Sequence, residues 1–173
     1  MRTFIKRFLV VMLIAFIIIQ FIRPEKNVSS AVAVNDISTK YQIPQNVMST
    51  FKASCYDCHS NNTAYPWYNN IQPLAWFLAD HVKEGKKELN FNEFASYKIG
   101  KQYRKLEEII KETEDGEMPL ESYTTIHRNS KLSATQKTDI ANWATTLRDT
   151  IKANYPADSL VRPQKPQTVV TSK

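Results

Sequence analysis

Two cysteines and a histidine stand together at Cys55-Tyr56-Asp57-Cys58-His59, and the 173-residue chain has no other cysteine. The pattern is C-x-x-C-H, the spacing by which a c-type haem is attached to a polypeptide. Two thiols one helical turn apart reach the two vinyl groups of one porphyrin edge, and the next residue turns its imidazole onto the iron. Competing uses of these residues fit less well. An exported cysteine pair would ordinarily be a disulfide, and a redox-active C-x-x-C sits in a βαβ pattern that this chain lacks. A structural zinc site wants four ligands, and two cysteines with three scattered histidines offer poor spacing. His59 directly after Cys58 separates haem attachment from all of these.

Iron held by His59 on one side invites a second ligand on the other. Met118, in Glu117-Met118-Pro119-Leu120, lies in a non-helical turn far downstream of the motif. Its thioether is a soft, neutral ligand that suits haem iron opposite histidine and raises the reduction potential. The plain alternative is that Met118 packs as a flexible apolar residue. His81 shares an apolar helix face with Phe77 and Leu78 and is the alternative distal ligand, although such histidines are more often satisfied packing residues. His127 lies in another loop and competes less well. Tyr65, Trp67 and Tyr68, just after the motif, are expected to cover the porphyrin edge as part of the haem pocket.

These groups need helices to hold them. Pro44 opens a helix whose Val47, Met48 and Phe51 face inward and which delivers Cys55 at its end. Pro73 opens a second, with Leu74, Phe77, Leu78 and Val82 on one side and Gly85 as its C-cap. Asn90 with Glu93 makes a weak capping box. Tyr103, Leu106, Ile109 and Ile110 line one face of a third helix ended by Gly116, with its charged residues on a solvated face. Ser133 and Gln136 form a capping box for a last helix to about Ile151, striped by Ile140, Trp143, Ala144, Leu147 and Ile151.

At the N-terminus, Arg2, Lys6 and Arg7 precede an apolar run from Phe8 to Ile22 broken only by Gln20. The expectation is an uncleaved signal-anchor over residues 1–26, with Phe4 and Ile5 extending the span and the cations snorkelling. A cleavable signal peptide ending at Ala31-Val32-Ala33 is the competing reading. Residues 27–42 read as a flexible tether, 43–151 as the haem-binding domain, and 152–173 as a disordered tail. The net charge of +6 comes from the ends. Residues 1–26 carry +4, 152–173 carry +3 and the middle −1, so nothing indicates a nucleic-acid partner.

Taken in order, the elements resemble a class I cytochrome c: a helix before the haem motif, a distal methionine loop and a closing helix. More closely, the chain resembles the exported haem-binding-domain family of Bacteroidetes-type bacteria. The matching residues include Cys55–Thr63, Tyr65-Pro66-Trp67-Tyr68, Ile71-Gln72-Pro73, Trp76, His81-Val82, Gly85, Leu89-Asn90-Phe91, Lys105–Glu108 and Gly116–Leu120, with the anchor-flanking Phe-Ile-Arg-Pro-Glu-Lys-Asn at residues 21–27. The resemblance implies covalent haem c through Cys55 and Cys58 with His59 axial.

The expectation is therefore an all-α, cytochrome c-like domain around one covalently attached haem c per chain, behind a transmembrane anchor. It would be single-pass in the cytoplasmic membrane, face the periplasm and pass single electrons between redox partner proteins, a carrier more than a catalyst. A haem-based gas or redox sensor, or a small peroxidase, would need an open distal site instead. A module using haem only as a structural staple is a further alternative.

Overall fold

The computed structural model describes residues 1–161, and among these about 70% are helical with no strand. The all-α expectation holds. The helices are α1 (Arg2–Ile19), α2 (Ile37–Lys40), α3 (Gln45–Ser54), α4 (Tyr56–His59), α5 (Leu74–Glu88), α6 (Ile99–Asp115), α7 (Glu121–Ile126), α8 (Ala134–Asn154) and α9 (Ala157–Leu160). Short 3₁₀ turns cover Trp67–Asn70, Phe91–Ser96 and Arg128–Ser130.

The frame is α6 packed along α8, with α3 crossing α8 and α9 closing over α6. Local chemistry sets the ends of these helices. Ser133 and Gln136 complete the expected reciprocal capping box at the start of α8, which satisfies two of the amide donors a helix leaves free. Gly116 ends α6 in the left-handed region at φ 82°, where a side chain would be strained. The apolar stripes then meet. Phe51 of α3, Leu106 and Ile109 of α6, and Ile140, Trp143, Ala144 and Ile151 of α8 are buried in one cluster. Phe51 packs against Phe91 at 5.0 Å and edge-on to Trp143 at 5.5 Å. Full burial of one such ring stabilises the fold by about 1.5–3 kcal/mol.

The core reaches beyond the domain limits read from the sequence, at both ends. Ile37, inside the segment 27–42 expected to be a flexible tether, is fully buried. Asp36 caps α2 and its carboxylate accepts from Ser38 N at 2.9 Å, Tyr56 OH at 3.1 Å and Asn92 Nδ2 at 2.7 Å. Asn27 is fixed as well: its backbone N–H donates to Tyr65 OH at 2.7 Å, and its amide to Ser60 O and Thr63 Oγ1, each at 2.9 Å. A stretch of small polar residues is thus tied down by hydrogen bonds to distant partners rather than left free. Downstream, α8 continues to Asn154, and Leu160 of α9 is buried in the core cluster. The disordered-tail expectation is corrected for residues 152–161, and its remainder, 162–173, lies outside the described residues.

The transmembrane expectation is also corrected: among the described residues no helix is long and apolar enough to cross a membrane. At 18 residues, α1 spans about 27 Å at 1.5 Å per residue, against a hydrocarbon core of about 30 Å. Arg2, Lys6 and Arg7 also occupy its first two turns. No residue of α1 is buried. Its apolar side chains, from Phe4 to Ile18, face outward on every side.

Candidate functional site

The C-x-x-C-H turn is delivered where the sequence places it. α3 ends at Ser54, Cys55 breaks the helical path, and α4 carries Tyr56 to His59. Tyr56 stacks on Phe91 with ring centroids 5.0 Å apart and planes 7° apart, which seats the turn on the core. Asp57, between the cysteines, accepts from Tyr123 OH at 2.7 Å and from Ala64 N at 3.0 Å. The following loop is held by Asn61, whose backbone N–H donates to Asn92 Oδ1 at 2.8 Å and whose side-chain Oδ1 accepts from Asn90 Nδ2 at 2.8 Å.

α5 packs directly on this turn, and Gly85 is what allows it. A Cβ at Gly85 would stand 2.9 Å from Cys58 O and 3.2 Å from Cys58 Cβ. Gly85 is not the C-cap expected from the sequence; α5 runs on to Glu88, with Leu89 capping it. The close approach brings the Gly85 and Leu89 carbonyls each to 2.9 Å from His59 Nδ1. Carbonyls only accept, so Nδ1 carries the proton and Nε2 keeps its lone pair free. Burial lowers the imidazole pKa, against the two carbonyl bonds that raise it, and the neutral ligand form is favoured.

Gly85→Val tests this packing. Alanine would gain about 1 kcal/mol of helix propensity over glycine and so mask part of the clash; valine gains less. Its branched side chain against the Cys58 backbone should cost about 1–3 kcal/mol, read as a lower denaturation midpoint with unchanged slope.

The two cysteines are free thiols. Burial, followed by the neighbouring Cys58, pushes the Cys55 thiol up to about 12, and burial with the Asp57 carboxylate pushes Cys58 up to about 11. Neither is a thiolate of the reactive, electropositive kind. No cluster of three or more metal-binding His, Cys, Asp or Glu side chains exists among the described residues, which weighs against zinc.

An apolar cavity of about 310 Å³ opens beside the turn. Cys55 and His59 line it on one side and Met118 and Pro119 on another, with Phe51, Phe91, Leu89 and Ile109 as further walls. Lys105 sits at its rim, paired with Glu88 at 3.3 Å and with Glu108. Met118 is therefore brought to the cavity of His59, as expected, with its N–H anchored on Glu112 O at 2.9 Å. Among the described lining residues it is the sole thioether, and His59 the sole imidazole. A smaller cavity of about 170 Å³ lies against Cys58 and Leu120, lined by Tyr68, Leu74, Phe77, Leu78, His81 and Tyr123 among others. The free Nε2 of His59, the Met118 thioether and the Cys55 thiol on the larger apolar space, with the Cys58 thiol on the smaller one, suit a haem.

The other expected site residues scatter. His81 lies in the smaller cavity with its Nδ1 against Phe77 O at 2.8 Å, so it does not face His59 across the larger one. His127 Nε2 is 2.7 Å from Tyr68 OH, and its ring stacks on Tyr123. Of the three pocket aromatics, only Tyr68 lines either of these cavities, the smaller one beside Cys58. Tyr65 is engaged by Asn27 and by Lys26 over its ring, and Trp67 is 76% exposed. An aromatic loop beside the motif reveals nothing about the direction of its rings. Sequence reasoning missed Gly85 as a contact, Leu89 as an acceptor and Asp36 as an anchor. Only Asp36 carried a signal, an N-cap residue type ahead of Ile37-Ser38.

A family model described as a haem-binding domain matches residues 14–146 of the chain. No curated protein and no solved structure matches it.

Proposed function

Because this chain belongs to the haem-binding-domain family, we propose that it holds one haem c through thioethers to Cys55 and Cys58, with His59 and Met118 as axial ligands, and that it carries single electrons. The observation that carries this reading is the shared cavity: His59, with Nε2 left free, and Met118 line the same apolar space. The bound group would supply a reversible one-electron change at its iron. The chain's own residues do the rest. Gly85 and Leu89 orient His59 and keep its proton on Nδ1. Phe51, Phe91, Leu89 and Ile109 exclude water, and Met118 and Pro119 supply a further wall. His59 and Met118 would together hold the iron, so that its one-electron change would need little rearrangement of the chain and would leave no room for a substrate.

Sensor and peroxidase readings need an open position and a free distal group. They are disfavoured by His81 and His127, each already engaged in a hydrogen bond away from the larger cavity. The exposed apolar side chains of α1 support a seat on the cytoplasmic membrane, with the haem domain and its redox partners on the periplasmic side, where c-type haem is attached. A redox titration of the purified, haem-loaded chain should fit a single one-electron wave, and the ferrous form should stay inert to carbon monoxide. Rapid carbon monoxide binding by the wild-type ferrous form would overturn the electron-carrier reading.

A further inference from the structure

The C-terminal end of α1 is fastened to the domain at the start of α5. Gln20, the one polar break in the apolar run, donates from Nε2 to Gln72 O at 3.3 Å and accepts at Oε1 from Gln72 N at 2.8 Å. Gln72, only 2% exposed, donates from its own side chain to Ile22 O at 3.0 Å. Trp76 Nε1 donates to the same carbonyl at 2.8 Å. An amide in an apolar helix costs several kcal/mol in hydrocarbon unless it is satisfied; here the domain satisfies it.

Around this staple the surface is apolar and uncovered. Phe21 is 83% exposed, and Ile22, Ile71, Leu74 and Trp67 are exposed too. Ile71 and Leu74 flank the stapled Gln72 and Pro73, and Trp67 opens the 3₁₀ turn that ends at Asn70, just before Ile71. Scattered exposed apolar residues need no explanation, but a contiguous group of large ones marks an interaction site. These residues lie along the chain on both sides of the Gln20–Gln72 contact, at the end of a helix that is itself apolar all round and is followed by Arg23 and Lys26. An apolar face, then tryptophan, then cations is the order that a bilayer's acyl-to-headgroup boundary selects.

We propose that this collar is a second membrane contact: the domain rests on the bilayer through Phe21, Ile22, Trp67, Ile71 and Leu74, held there by the Gln20–Gln72 staple. The inference rests on the proposed membrane seat of α1 and extends it. Alone, α1 is too short to cross, and the collar lengthens the apolar surface offered to lipid. It also replaces a free tether with a fixed orientation, in which Leu74 joins the collar to the smaller cavity beside Cys58. The haem would then sit at a set height above the membrane.

The test uses the full haem-loaded chain in vesicles of phosphatidylcholine and phosphatidylglycerol, with a benzophenone side chain placed at Trp67 or, as a control, at Glu107 on α6. Trp67 is exposed, so the replacement leaves the core intact. After irradiation, phospholipid adducts on the tryptic peptides should be several-fold more abundant at position 67 than at 107. Gln20→Leu, which keeps α1 apolar but removes the two Gln20–Gln72 bonds, combined with Trp76→Phe, which removes one of the two bonds to Ile22 O, should lower the position-67 adduct while the chain still floats with vesicles. Flotation with equal adducts at 67 and 107 would overturn the collar and leave the seat of α1 standing. Unchanged adduct in Gln20→Leu/Trp76→Phe would overturn the stapled orientation. Absence of flotation would overturn the membrane seat and the collar with it.

Discussion

Met118→Ala should leave the haem attached and change how its iron behaves. Cys55, Cys58 and His59 are untouched by the substitution, so the proposed covalent retention should persist. The distal thioether is lost from the cavity that His59 lines, and no other thioether or imidazole among the described lining residues can take its place. The ferric protein should lose its weak far-red charge-transfer band, and the ferrous protein should bind carbon monoxide rapidly where the wild type does not. The reduction potential should fall by on the order of 100 mV or more, a modest part of the ~0.8 V that axial ligation spans. Potentiometry with optical detection measures the shift. An unchanged potential with a carbon monoxide-inert iron would remove Met118 from the ligand set.

Cys55→Ala/Cys58→Ala should be all or none in a different measurement. Acidified acetone should strip the haem from the double variant completely and leave it on the wild type. Each single variant should hold haem by one thioether, with a pyridine haemochrome band displaced toward that of free haem. A thiol count on denatured protein gives an independent reading: with two cysteines in the chain, the haem-loaded form should titrate none and the haem-free form both. Haem that resists extraction from the double variant would rule out attachment through these sulfurs. Because both thiols are pushed to about 11 and 12 by burial in the folded chain, the attachment reaction should be faster on the partly unfolded chain, where the thiolates form more readily.

How far the site was legible depends on whether its chemistry is local. Cys55, Cys58 and His59 stand out as candidates because the porphyrin edge and the metal of a c-type haem would demand residues adjacent in sequence. The placement of Met118 outside a helix is legible because Gly116 stops α6 and Pro119 disfavours helical backbone at the residue before it, leaving one methionine on a loop. What could not be read is long-range complementarity. Gly85 looked like a helix end, since glycine's commonest helical duty is there; its contact with Cys58 exists only once α5 lies on α4. Residues 27–42 read as a tether because their composition lacks a period, yet Asn27, Asp36 and Ile37 find partners more than 20 residues away. Trp67 and Tyr65 were assigned to the pocket by proximity to the motif, and proximity along a loop does not fix where a ring points. The frame itself, α3, α6 and α8, was visible in its apolar stripes and caps.

The two carbonyls that hold His59 have an electronic consequence as well as a steric one. They belong to the last turn of α5 and its cap, where a helix concentrates about half a negative elementary charge. The macrodipole of α5 therefore points its negative end at the His59 imidazole and would make it a stronger electron donor toward a metal it held, which would favour the oxidised state. A methionine thioether on the same metal would favour the reduced one. Under the proposed function, the potential would then balance a ligand atom against a helix terminus. It could be tuned through the length or charge of α5, starting with Lys86 and Lys87 in its last turn, without altering Cys55, Cys58, His59 or Met118.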